Sequence, residues 1–383
     1  MRLPAVIAAA FAAALIPAVA GAQGTLAASG LGYPPGGLSS RSQGAAGSTA
    51  EIDPASTLNP AALAQSGTFE VYAQGTVERR RTEVEDPSTT SVIPSFPVAG
   101  MSMPIGRRWM IGISLSSMLD RTWGTTSETE LVLDGTPVTA RDRATSEGGM
   151  TDIRVGTAYR LGNRAAIGLA AHVITGENRL ELSRSFVDAP QFGTYSQSNL
   201  VDYFGSAVSA GVLYSPVERL TLGASARIGG NVDARVADSV VASATIPTRL
   251  GGSLQYSFPG AAVAARVGYT RWSDFSGFSE RGGPTASTLD PQDGWEYALG
   301  AELDGPSAFG PPTVLRVGIG RRDLPFRIEG NAVTENQVTG GIGIPLAGGR
   351  ALLDFSIVRA SRSGVSGVSE KGWITSLGLL LRP

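Results

Sequence analysis

The chain has 383 residues, 50 of them glycine, one histidine and no cysteine, with 31 basic against 33 acidic side chains. Without cysteine there is no disulfide framework, thiolate metal centre, iron–sulfur cluster or cysteine nucleophile, and one histidine excludes a multi-histidine metal site. The near-neutral charge argues against a nucleic-acid partner, and the absence of a phosphate loop or dinucleotide fingerprint leaves no cofactor to expect.

The first element in chain order is an export signal. Met1-Arg2 supplies a positive start, Val6 to Ala20 is almost wholly apolar, and Ala20-Gly21-Ala22 fits the small-x-small cleavage rule. Residues 1–22 are therefore expected to be removed. The apolar run is shorter than the roughly 20 residues of a spanning helix. Residues 23–67 follow, rich in Gly, Ala and Ser, with Tyr33-Pro34-Pro35-Gly36-Gly37 and then Asn59-Pro60-Ala61. Asn59 is placed to cap a short helix whose first position is Pro60. A plug inside a barrel and a disordered tail are both compatible with this composition.

From residue 68 to 383 the pattern has period two. Trp109, Ile111, Ile113 and Leu115 alternate with Met110, Gly112, Ser114 and Ser116; Ile153, Val155, Thr157, Tyr159 and Leu161 alternate with Asp152, Arg154, Gly156, Ala158 and Arg160. Val263 to Thr270, Leu315 to Gly320 and Trp373 to Leu381 behave alike. Each strand has one apolar face and one of Gly, Ser, Thr, Ala and single arginines. A soluble sandwich packs large aliphatics inside and charge outside. Here the small, polar face suits a barrel lumen and the apolar face suits lipid.

Short turns fall at 105–108, 161–164, 215–218, 258–260, 304–312 and 346–349. Longer polar stretches lie at 82–90, 123–143, 186–197, 233–243, 273–293, 322–335 and 361–370. Six turns alternating with seven loops predict fourteen antiparallel strands, an all-β transmembrane barrel with both mature termini in the periplasm of a bacterial outer membrane.

Three stretches carry a family resemblance. Gly37 to Ala64, ending in Asn59-Pro60-Ala61, is similar to the N-terminal hatch of the FadL/TodX outer-membrane transporters of hydrophobic compounds. Ile246-Pro247-Thr248-Arg249-Leu250-Gly251, with Tyr269-Thr270-Arg271-Trp272-Ser273-Asp274-Phe275, resembles the family's proline-led strand and its tyrosine…Trp-Ser-x-Phe segment. Gly294-Trp295-Glu296-Tyr297-Ala298-Leu299-Gly300, followed by Leu315-Arg316-Val317-Gly318, resembles its next hairpin. The C-terminal Leu380-Leu381-Arg382-Pro383 departs from such barrels in lacking a terminal aromatic residue.

The resemblance implies passive transport of long-chain fatty acids or other hydrophobic compounds, with a hatch closing the lumen and a lateral opening to the bilayer. It implies partners that are fatty-acid-like small molecules and outer-membrane lipid, and a monomer. The alternative is a plugged structural or partner-binding barrel, lipid-binding or secretion-associated, without transport.

Candidate hatch or gating residues are Asp53, Asn59, Pro60 and Ala61. Arg154, Arg160, Arg227, Arg266 and Arg316 fall on inward faces and could bind a carboxylate, or could pair with Asp152, Asp354 or hatch carboxylates. The five tryptophans, Trp109, Trp123, Trp272, Trp295 and Trp373, read as interface anchors. His172 sits in alternating sequence with no serine–acid spacing around it, so no enzyme is expected.

Overall fold

A computed structural model describes Leu26 and residues 31–383, apart from 85–88, 134–135, 187–190, 192, 279–289, 308–311, 329 and 366–367. The export signal lies outside the described residues. Sixteen strand segments follow one another: β1 (Glu70–Val84), β2 (Thr89–Ile105), β3 (Trp109–Asp120), β4 (Trp123–Leu133), β5 (Thr136–Leu161), β6 (Ala165–Phe186), β7 (Tyr195–Val217) and β8 (Leu220–Val236). Then come β9 (Ser239–Thr245), β10 (Thr248–Phe258), β11 (Ala261–Arg271), β12 (Gly294–Asp304), β13 (Val314–Ile328), β14 (Asn331–Leu346), β15 (Ala351–Val365) and β16 (Val368–Leu381).

They make fourteen staves. β4 continues β3 along β5, and β9 precedes β10 along β8, so each of these pairs is one broken stave. β16 pairs β1 from Val71↔Leu381 to Val84↔Val368 and closes the ring, which is antiparallel throughout. Closure removes the exposed edges of an open sheet, the condition for a sheet to stand in lipid.

The outer surface carries the expected apolar rows. Trp109, Ile111, Ile113 and Leu115 are exposed, as are Val155, Leu161, Val263, Val267, Leu315, Val317 and Ile319. Their alternates Asp152, Arg154, Arg266 and Arg316 are buried in the interior. Five tight connections fall where short turns are expected, at 106–108, 162–164, 218–219, 259–260 and 347–350.

The loop reading needs correction, most extensively at three places. Strands continue through 123–133 and 136–143, through 233–236 and 239–243, and through 322–328 and 331–335. Their many charged and polar residues read as loop, yet inward positions such as Val138, Leu324, Phe326 and Val333 are buried. They are held by the ladder, by that inward burial and by cross-strand ion pairs such as Arg141–Glu128 at 2.7 Å and Arg184–Asp142 at 2.6 Å.

Residues 31–66 lie inside the barrel. They include a five-residue helix α1 (Ser40–Gly44) and a 3-10 helix η1 (Pro60–Gln65). A second 3-10 helix, η2 (Trp272–Phe278), packs on β9 at the long-loop end.

Candidate functional site in the barrel lumen

The interior segment is seated by complementary chemistry. Ser39 caps α1 by accepting from the Ser42 amide at 3.1 Å, and its hydroxyl donates to Asp53. Asp53 also accepts from the Ser56 hydroxyl at 2.8 Å, so it knits the segment to itself. Asn59 Oδ1 accepts from the Ala61 amide at 2.9 Å, and Pro60 fills the first helical position, where a missing N–H costs nothing. The Asn59 amide donates to Glu51 O at 2.7 Å and to Val212 O of β7 at 3.2 Å. Ala61 packs with Ile52 against Ala166 and Leu213, and Leu63 packs against Met110 and Ala158.

The wall is thinned to receive it. A Cβ added at Gly211 would overlap Asn59 Oδ1, and one added at Gly168 would overlap the Ala61 amide. Part of the chain's glycine excess therefore serves close backbone approach between wall and interior segment.

The five inward arginines divide by partner. Arg154 Nη1 donates to Thr57 O at 2.8 Å, and Arg160 donates to Ala64 O and Ser66 O, both at 2.7 Å, so these two grip carbonyls of the interior segment. Arg266 pairs with Glu296 at 2.7 Å and lies 3.5 Å from Glu51. Arg316 pairs with Asp354 at 2.6 Å and Glu302 at 2.8 Å. Arg227 lies 3.4 Å from Asp152. Arg249, not singled out from the sequence, comes no nearer to a carboxylate than 4.0 Å, at Glu51.

A buried ion-pair cluster holds the start of the segment. Arg362 pairs with Glu335 at 2.6 Å, with Glu78 at 2.8 Å and with Glu370, while Arg80 pairs with Glu78 at 2.9 Å. The Arg80 and Arg362 guanidiniums both lie over the Tyr33 ring, 4.4 and 4.2 Å from its centroid. Its hydroxyl donates to Glu370 at 3.1 Å. Burial pushes the Tyr33 phenol well above the usual tyrosine range, and the Glu370 carboxylate adds to the rise, so it remains a neutral donor.

The same residue sits beside a break in the wall. β2 pairs β3 only from Val98 to Ile105, and β4 pairs only β5, so Thr89–Pro97 of β2 has no partner on the β4 side. Pro94 and Pro97 lie in this stretch and carry no amide hydrogen to offer across the gap. Tyr33 instead exchanges two backbone hydrogen bonds with Asp120, the last residue of β3, both at 2.8 Å. A cavity of about 110 Å³ lies directly inside, lined by Tyr33, Pro35, Ile93, Ser95, Pro97 and Asp120 among others.

The long-loop half of the lumen also holds two apolar clusters. Met118, Leu119, Met150, Ile174, Val232, Ile246, Trp272 and Phe275 form one buried cluster, and Leu26, Trp123, Leu180, Leu324, Phe326 and Val333 form another. Here the tryptophan reading is corrected. Trp109, Trp295 and Trp373 are about half exposed on the outer surface, whereas Trp123 and Trp272 are buried inside. Residues near strand ends that alternate inward belong to the lumen, and strand-end position alone does not reveal the phase.

His172 gains partners that its sequence neighbourhood does not offer. Its Nδ1 lies 2.8 Å from Asp152 Oδ1, and its Nε2 lies 2.8 Å from Ser209 Oγ. Register brings them together, since β6 lies between β5 and β7.

Solved structures of transporters and of a hydrocarbon channel share this barrel fold. Solved structures with this fold include a Pseudomonas aeruginosa FadL homologue, 13% identical with TM-score 0.62, covering 92% of this chain and 99% of that one. The Ralstonia pickettii toluene transporter TbuX is 15% identical with TM-score 0.60, covering 91% and 98%. The Pseudomonas putida toluene transporter TodX is 14% identical with TM-score 0.57, also covering 91% and 98%. No family model and no curated protein matches the sequence.

Proposed function

We propose that the chain is a FadL-type channel that carries hydrophobic compounds, long-chain fatty acids among them, across a bacterial outer membrane by passive diffusion. The observation that carries this reading is the pair of apolar clusters in the long-loop half of the lumen. A water-filled pore has a polar interior, and an apolar solute gains nothing from it; an apolar vestibule lowers its free energy on leaving water. The cavity inside the β2–β4 gap gives a route from that vestibule toward the bilayer core.

In this reading residues 23–67 are the hatch, with Asp53, Asn59, Pro60 and Ala61 fixing its shape and Arg154, Arg160 and Arg266 fixing it to the wall, while Arg316 pairs within the wall. Arg227, with Arg249, faces a second cavity and offers cationic groups to a carboxylate head. The mature barrel is a monomer with periplasmic termini, its outer face solvated by membrane lipid. Transport by diffusion needs no catalytic step.

The permanently plugged barrel is the second reading, favoured by the dense pairing between wall arginines and interior segment. Uptake distinguishes the two. The chain is expressed in a bacterial host lacking its own hydrophobic-compound channel, and entry of labelled oleate and of toluene is followed. Faster entry of either supports the channel. No gain from a correctly assembled barrel overturns it.

A further inference from the structure

The lumen holds an arrangement that diffusion does not use. Asp152, His172 and Ser209 project inward from the adjacent strands β5, β6 and β7. His172 pairs across the ladder with Arg154 and Ala207, so Asp152 and Ser209 are each its diagonal neighbours, two residues along on either side. Both Asp152 oxygens lie close to Nδ1, at 2.8 and 3.0 Å. A carboxylate there holds the ring proton on Nδ1, which leaves Nε2 as an acceptor aimed at the Ser209 hydroxyl 2.8 Å away. His172 is the chain's single histidine, and all three side chains are buried.

Their surroundings match the demands of acyl transfer. The three residues line a cavity of about 50 Å³ that also meets Met118 and Trp272 of the apolar vestibule. Arg227 and Arg249 line it too, with the Arg227 Nε buried and lacking a hydrogen-bond partner. Strand amides are committed to the ladder, so the positive charge for an oxyanion comes from these guanidiniums. Ser225 lines the same cavity, but its hydroxyl donates to Glu51 at 2.6 Å and no histidine faces it.

We propose that Ser209 is an activated nucleophile and that the lumen hydrolyses carboxylic esters small enough to reach it from the apolar vestibule. Ser209 Oγ adds to the ester carbonyl carbon while its proton passes to His172 Nε2. The carbon–alkoxy bond then breaks, and His172 returns the proton to the leaving oxygen, releasing the alcohol and an acyl-Ser209. Water repeats the addition with His172 as base. The Ser209–acyl bond breaks, the acid is released and the serine proton is restored. Ester and water give acid and alcohol, with no other reactant. Asp152 is a positioning residue that acts through the imidazole.

The test uses the full chain, folded in detergent and verified by heat-modifiable migration. It is treated with diisopropyl fluorophosphate and mapped by mass spectrometry. One phosphoryl adduct on Ser209 is expected, absent in Ser209→Ala and formed about 100-fold more slowly or less in His172→Gln. Hydrolysis of p-nitrophenyl acetate should fall in step, and Asp152→Asn should lower kcat with KM unchanged. A folded barrel that forms no Ser209 adduct overturns the proposal, as does labelling at the same rate in His172→Gln. Esterase activity that survives Ser209→Ala overturns it equally.

Discussion

Asn59 joins three parts of the molecule through one side chain: the η1 amide at Ala61, the carbonyl of Glu51 and the carbonyl of Val212 in the wall. Losing a cap costs about 1 kcal/mol. Asn59→Ala should therefore leave the barrel folded while residues 31–66 become more sensitive to protease, checked by limited proteolysis in detergent. Gly211→Val is expected to act more strongly, because its side chain would occupy the space of the Asn59 amide. That variant should raise single-channel conductance in planar bilayers. An unchanged conductance would show that the segment stays seated without this contact. The cap and the proline are legible in Asn59-Pro60. The wall glycine that receives them is not, since 152 residues of chain separate Asn59 from Gly211 and only barrel closure makes them neighbours.

Among the elements, the interior segment and the broken staves matter most. Removing residues 23–64 withdraws the Thr57 and Ala64 carbonyls that Arg154 and Arg160 engage and the Glu51 carboxylate beside Arg266. The ladder does not depend on them, so the deletion should give a folded barrel with greater conductance; unchanged conductance from a folded deletion would remove the plug reading. The break between β3 and β4 leaves Ser95 of β2 beside the cavity of about 110 Å³. Ser95→Trp should fill that space and slow uptake of hydrophobic compounds while heat-modifiable migration stays normal. The strand break has no clear mark in sequence. Arg121-Thr122 is an ordinary dipeptide, and only the ladder partners of β2 and β4 show that they do not meet.

For the whole molecule, membrane insertion makes a prediction about tryptophan. Trp109, Trp295 and Trp373 lie on the outer surface, and Trp123 and Trp272 lie in the lumen. Single-tryptophan variants reconstituted in brominated lipid should therefore fall into two groups, the first three strongly quenched and the last two weakly. Equal quenching of all five would place the barrel's two faces wrongly. The outward rows, the short turns and the stave number were readable because each follows from a period of two and from turn chemistry, both local properties. The long-loop extensions were not, because their many charged and polar residues read as loop and only pairing in the barrel shows them as strand.

Sequence by itself determined the antiparallel fourteen-stave barrel, the phase of most strands and the cap that starts η1, since steric and solvation preferences act on near neighbours in the chain. The tertiary structure decided where the N-terminal segment sits, which arginines hold it, where the wall opens and why Trp123 and Trp272 turn inward. It also decided that Asp152, His172 and Ser209 meet. They lie 20 and 37 residues from each other along the chain, and a triad across three strands is set by register, which no local pattern records.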